Sequence, residues 1–231
     1  MKIEIITLFP SMFKGVLEES MIKIARRKGK VEIKVHDLRK WTYDRHRTAD
    51  DKPFGGGPGM VIKVEPVDRA IEEITASDPE CVKPTAILLT PQGRTFDQGL
   101  ARELSGLEHI ALICGHYEGF DERIRSLVDM EISMGDFILT CGEIPAMAVT
   151  DAVVRLIPGV LGAEGSLESE SFNDGTLEYP QYTRPAVYKG MKVPEVLIKG
   201  DHRKIEAWRC AEALKRTKER RPDLHRKKRT K

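Results

Sequence analysis

Cysteine is scarce in this sequence and never paired: Cys81, Cys114, Cys141 and Cys210 are widely spaced, with no C-x-x-C and no H-x3-5-H partner. A disulfide framework or zinc site is therefore poorly supported, and free thiols in a reducing compartment are expected. Cys114 and His116 lie close together, but no further ligand cluster follows. No apolar run approaches the roughly 18 residues of a membrane span, and the first helix-like segment begins only after Pro10. No membrane anchor or signal peptide is expected, and the cytoplasm is the expected compartment. Three common nucleotide or nucleophile signatures are also missing. No G-x-G-x-x-G follows the first strand, and neither G-x-x-x-x-G-K-[ST] nor G-x-S-x-G occurs, which removes the dinucleotide fingerprint, the P-loop and the nucleophile elbow.

What is present is an ordinary globular composition, 40% hydrophobic and 32% charged over 231 residues, enough for one large domain or a medium domain with an appendage. The net charge of +2 hides a division. Residues 199–231 hold 14 Lys/Arg against 5 Asp/Glu, a net of +9, while the remainder holds 24 against 31, a net of −7. A basic end on an acidic body suits a polyanion-binding appendage, although a solvated helix face has the same composition. Aromatics are few there, Trp208 being the clearest, which favours phosphate contact over base stacking.

Lys2 to Phe9 reads as a strand, Met12 to Lys28 as one amphipathic helix closed by Gly29, and Val31, Ile33 and Val35 as a second strand. From Lys40 to Gly59 the pattern stops in a polar, then glycine-rich loop, which in a compact domain signals function or disorder. Strands at Met60–Val64, Thr85–Thr90 and His109–Cys114 alternate with helices near Val67–Ala76 and Phe96–Leu104, predicting an α/β sheet. A further apolar stretch, Asp136–Cys141, precedes a helix from about Ile144 to Ile157, stopped by Pro158-Gly159. Residues 162–184 read as a flexible linker, followed by short pieces and a helix from Asp201 to Arg220.

Three strand-to-loop transitions share a Gly-rich composition: Leu89-Thr90-Pro91-Gln92-Gly93, Cys114-Gly115-His116-Tyr117-Glu118-Gly119, and Ser133-Met134-Gly135-Asp136 running on to Thr140-Cys141-Gly142-Glu143-Ile144-Pro145. Ligands of open α/β sheets bind at the carboxyl ends of strands, where glycines let backbone approach a ligand and free N–H and C=O groups can bond an adenine edge. Together with Thr7-Leu8-Phe9-Pro10, His46-Arg47-Thr48-Ala49-Asp50-Asp51, Gly55-Gly56-Gly57-Pro58-Gly59-Met60, Ile157-Pro158-Gly159-Val160-Leu161-Gly162 and Tyr182-Thr183-Arg184-Pro185, these strings resemble the TrmD family of tRNA (guanine-N1)-methyltransferases, in family order along nearly the whole chain.

The resemblance implies an α/β fold of the SPOUT type: a parallel-sheet domain tied in a deep trefoil knot over residues 1–161, a linker over 162–184, and a small, mainly helical, basic C-terminal domain over 185–231. It implies a homodimer with a composite active site and the tRNA anticodon stem-loop as partner. S-adenosylmethionine would sit against Leu89, Thr90, Pro91, Gly93, Gly115, Tyr117, Glu118, Gly119, Ser133, Met134, Gly135, Asp136, Phe137, Ile138, Leu139, Gly142, Ile144 and Pro145. His46, Asp50 and Gly59 would shape the target-base pocket, with Asp50 holding Arg155 or the RNA. Lys215, Arg216, Arg220 and Arg221 would meet RNA. The family's Mg2+ dependence would make Glu118 a metal contact.

Guanine N1 carries a proton at neutral pH, so its methylation requires a general base, and the negative charge that spreads to O6 calls for a cation. By resemblance the cation is Arg155. The base falls on Glu170, in Glu168-Ser169-Glu170-Ser171-Phe172, where family members usually carry Asp. The extra methylene keeps the carboxylate but alters its reach. The expected activity is N1 methylation of guanosine 37 in tRNAs with guanosine 36. A knotted methyltransferase of ribosomal RNA and a non-catalytic RNA-binding module are the alternatives.

Overall fold

The structure is a computed structural model that describes residues 1–77, 83–161, 170–172 and 174–227. The chain divides into two compact units, Met1–Gly162 and Ala163–Lys231. In chain order the first contains β1 (Lys2–Thr7), α1 (Lys14–Leu17), α2 (Ser20–Arg27), β2 (Glu32–Asp37), β3 (Asp50–Asp51), β4 (Val61–Ile62), α3 (Val64–Ala76), β5 (Thr85–Thr95), α4 (Gln98–Ser105), β6 (His109–Cys114), β7 (Met130–Ser133) and α5 (Glu143–Val154).

Five strands form one sheet in the order β2-β1-β6-β5-β7, every pairing parallel. Both faces are covered, which is why its strands read as near-continuous apolar runs. Ile3, Ile5, Ile87, Leu89, Ile110 and Leu112 point into one core with Leu17, Ile22, Leu100, Leu104, Val149 and Val153 of the helices. Ile6, Ala86, Leu88 and Ile113 point the other way, onto Val67, Ala70, Ile71 and Ile74 of α3 and onto Leu38 and Trp41. Full burial of each large aliphatic side chain contributes about 1.5–3 kcal/mol. Glu4 is an exception on β1. It is buried but accepts a 2.5 Å bond from His36 Nε2. Burial pushes its carboxyl up, yet the hydrogen bond and charge of His36, with Lys34 and His109, hold it below its ordinary pKa.

The helix expected from Met12 to Lys28 is broken. Pro10–Phe13 is a 3-10 turn, α1 ends at Leu17, and α2 opens on Ser20 at φ +51°. Arg26 donates to the Leu17 carbonyl at 3.0 Å, satisfying an acceptor that the break exposes. The strand expected at Met60–Val64 is only Val61–Ile62, because α3 already starts at Val64. The stretch Asp136–Cys141 belongs to the loop after β7.

The second unit contains a hairpin of β8 (Val187–Tyr188) and β9 (Met191–Lys192), then α6 (Glu195–Ile198), α7 (His202–Arg220) and α8 (Pro222–Lys227). Asp201 caps α7, accepting from the Lys204 N–H at 3.2 Å. Of the segment 162–184 read as a linker, 162–169 and 173 lie outside the described residues. The remainder is fastened to α7: the Leu177 N–H donates to Thr217 Oγ1 at 2.8 Å, Arg209 lies 4.7 Å over the Tyr179 ring, and Tyr182 lies 6.4 Å from Trp208. Among the described residues no helix is long and apolar enough to cross a membrane.

Candidate active site

The middle of β5, at its register shift, and the carboxyl ends of β6 and β7 surround a cavity of about 270 Å³, near the small end of pockets that hold small molecules. Leu89, Thr90, Pro91, Gly115, Tyr117, Glu118, Gly119, Ser133, Met134, Phe137, Ile138, Leu139, Gly142 and Pro145 line it, so most of the residues picked from the sequence are brought together. Four are not on its wall: Gly93, Gly135, Asp136 and Ile144. His116, Phe120, Ile132, Thr140 and Cys141 line it in addition. All except Phe120 and Ile132 lie inside the quoted strings, so their proximity was available from the sequence.

Backbone contact shapes this cavity. The Gly142 N–H donates to the Gly115 carbonyl at 2.7 Å, and a Cβ on Gly142 would lie 2.4 Å from Gly115 N. A Cβ on Gly115 would lie 2.7 Å from the Phe120 ring. Gly93 sits where β5 shifts register against β7, and its Cβ would lie 2.4 Å from Glu131 backbone. At Gly93 and Gly142 glycine is thus needed for backbone to pass backbone, a reason additional to ligand access, whereas at Gly115 the obstacle is a side-chain ring. Arg125 braces the first loop, donating to Gln92 Oε1 at 2.9 Å and to Glu131.

The loop after β6 is tied to the segment that holds His46, Asp50 and Gly59. The Glu118 N–H donates to the Met60 carbonyl at 3.1 Å and the Ile62 N–H to the Gly119 carbonyl at 3.0 Å. Gly59 has φ +79°, and a Cβ there would meet Glu118 Cγ at 2.4 Å. Burial first, then the neighbouring Asp50 carboxylate, raise the Tyr117 pKa, with Arg39 opposing. His46 is exposed in a turn organised by Asp44, whose carboxylate accepts from the His46 N–H at 3.1 Å, the Thr48 N–H at 2.9 Å and Thr48 Oγ1 at 2.7 Å. A lone Asp in a polar loop gives no periodic signal, so the sequence alone does not single out Asp44.

A family model described as tRNA (Guanine-1)-methyltransferase TrmD matches residues 1–227. The chain belongs to this family. Relatives named tRNA (guanine-N(1)-)-methyltransferase include proteins of Dictyoglomus turgidum, 54% identical over 97% of this chain and 89% of that protein, Staphylococcus epidermidis, 55% over 97% and 90%, and Carboxydothermus hydrogenoformans, 56% over 97% and 87%.

Of the two residues assigned to proton transfer and charge stabilisation, Arg155 is half-buried at the carboxyl end of α5, its N–H donating to the Asp151 carbonyl at 3.2 Å. Glu170 is half-buried in the second unit. Lys215 and Arg220 are exposed on α7 and Arg216 is half-buried. Arg221 is bound by Asp223 through bonds of 2.9 and 2.8 Å.

Sequence reasoning also passed over Glu143. It is fully buried at the start of α5 and accepts a 2.5 Å bond from Thr7 Oγ1 at the end of β1, pinning the Gly142 crossing to the centre of the sheet. Burial, with the charges of Glu143 and Cys141, pushes the Cys114 thiol well above its ordinary range. Among the described residues no group of three His, Cys, Asp or Glu could hold a metal.

Proposed function

We propose that this chain transfers a methyl group from S-adenosylmethionine to N1 of guanosine 37 of tRNA, beside the anticodon, in tRNAs with guanosine 36. The observation that carries this reading is the closing of three Gly-rich strand ends around one cavity in a chain of this family. Bound there, the donor supplies an electrophilic methyl on a sulfonium. The cavity's apolar side chains, Leu89, Ile132 and Leu139, suit an adenosine, and the backbone groups of its loops suit the polar edge of the base.

The chain's own groups then handle proton and charge. Glu170 accepts the N1 proton as the new N–C bond forms, and Arg155 stabilises the negative charge that spreads to O6. The target guanine lies against His46, Asp50 and Gly59, whose segment is bonded to the loop after β6. Nothing in this sequence of events passes through Mg2+.

The 2.7 Å crossing of Gly142 and Gly115 supports a trefoil knot in the first unit. Phe137, Ile138 and Ile144 expose 55%, 80% and 46% of their surface in and beside the third loop, an apolar area suited to the second subunit of a homodimer. Arg155 belongs to the first unit and Glu170 to the second, and in the proposed composite site they come from different subunits. Domain limits of 1–161, 162–184 and 185–231 go with this reading, and α7 offers its cations to the anticodon stem-loop, in the cytoplasm. The experiment that tests the function mixes purified protein, labelled donor and unmodified tRNA and maps the methylated nucleoside. Label in 1-methylguanosine at position 37 supports it, and label elsewhere, in ribosomal RNA only, or nowhere contradicts it.

A further inference from the structure

Phe54 is a large apolar side chain that stands fully exposed. Asp50 pairs with Ile62 and Asp51 with Val61 in antiparallel register, so residues 52–60 form the closed end of a hairpin. The foot of that hairpin is fixed to the rim of the cavity by the Glu118–Met60 and Ile62–Gly119 backbone bonds. Its far end is built differently. Gly55, Gly56 and Gly57 take φ of +86°, +79° and +129°, and a Cβ on Gly55 or Gly56 would meet nothing within 4 Å. An apolar ring left in water gains nothing from folding, and consecutive glycines raise the entropy lost by ordering the chain. A triglycine arm bearing a bare phenyl ring makes physical sense when a binding partner covers the ring.

The surroundings indicate which partner. Arg45, Arg47 and Lys52 are exposed in the same segment; of its exposed acids, Asp44 is bonded to His46 and Thr48 and Asp51 accepts from the Lys52 N–H at 2.7 Å. Tyr43, the other exposed aromatic there, already has Arg69 4.3 Å over its ring, whereas Phe54 stands clear. A free aromatic face among cations is how unpaired RNA is held, with bases stacked on the ring and phosphates on the cations. We infer that Phe54 stacks on an unpaired nucleotide adjoining the methylated guanosine, replacing stacking that disappears when the target base turns out of the loop. This rests on the function proposed above and adds to it the residue that grips the neighbouring base.

The test uses the full-length protein and a tRNA transcript. Phe54→Ala raises the KM for tRNA on the order of tenfold, the usual scale of a base–aromatic stack, while donor affinity, oligomeric state and the salt dependence of tRNA binding stay unchanged. Phe54→Trp keeps activity, and its added fluorescence is quenched by tRNA. An abasic residue at one neighbour of the target lowers wild type to the level of Phe54→Ala and leaves the variant where it was. A variant as good as wild type on the intact transcript overturns the inference. So does a loss equally large on both abasic transcripts, or a shift toward monomer, which would place a second copy on the ring. If wild type methylates no tRNA, the proposed function fails instead. Titration of Phe54→Trp with an anticodon stem-loop then decides: quenching supports the stack and an unchanged signal overturns it.

Discussion

The Asp50 carboxylate raises the pKa of the Tyr117 hydroxyl, so a residue of the segment assigned to the target base acts on a residue of the cavity wall. Tyr117→Phe keeps the ring that lines the cavity and removes only this interaction. Donor affinity measured by calorimetry is expected to stay within about threefold. The interaction of a hydroxyl with a charged group contributes at most roughly 1.5–3 kcal/mol, and exposure of the ring puts this one at the low end, so kcat/KM for tRNA should fall about tenfold. An equal loss in both quantities would show that the hydroxyl serves the donor instead.

The crossing of Gly142 and Gly115 predicts a sharp difference between glycines. Gly142→Ala forces a Cβ to within 2.4 Å of backbone that cannot yield cheaply. Donor binding should be abolished, with stability lowered by about 1–3 kcal/mol as for other overpacked positions. Gly15→Ala is the comparison, since it lies in α1 and its Cβ would meet nothing within 4 Å. That variant should melt higher, by about 0.5–1 kcal/mol of added stability, with donor affinity unchanged. Calorimetry and thermal unfolding of the two proteins check both statements.

The cations on α7 and just beyond it are not equivalent. Arg221 is held by Asp223 through two bonds, and its pKa is raised by that pairing, whereas Lys215 and Arg220 are exposed. If each of these two neutralises one phosphate, replacing Lys215 or Arg220 by Ala should flatten the slope of log affinity for tRNA against log salt by about 0.7–0.9. Arg221→Ala should change the slope less. Donor affinity should not respond to any of the three. Filter binding across a salt series measures this, and three unchanged slopes would assign α7 to a solvated face.

The positions of the cavity loops were legible because Gly and Pro mark the ends of apolar strands, and ligand sites of parallel sheets lie there. What misled was the orientation of single side chains. Gly142 and Pro145, three apart at the start of α5, share the face turned to the cavity, while Ile144 between them is turned away. Gly93 was chosen as a ligand contact, but its missing Cβ makes room for Glu131. The bond from Thr7 to Glu143 spans 136 residues, and the one from Leu177 to Thr217 spans 40. Neither leaves a periodic trace. The latter is one reason a Gly- and Ser-rich segment read as free linker is, in its described part, fastened to a helix. Similarly, the even apolar spacing from Phe13 to Ala25 does not register the single positive φ at Ser20 that divides it.

The central claim is that a carboxylate at position 170 removes the N1 proton, and the single-turnover rate of methyl transfer by Glu170→Gln, at saturating donor and tRNA, tests it most directly. Gln keeps the size and hydrogen bonding of Glu but cannot accept the proton, so the rate is expected to fall by on the order of 100-fold or more, with the binding of both substrates near normal. Glu170→Asp restores the residue usual in the family and should keep substantial activity. Glu168→Gln is the comparison, because a shift in the register of this segment would make Glu168 the base, and it should remain close to wild type. Transfer by Glu170→Gln as fast as wild type would contradict the account.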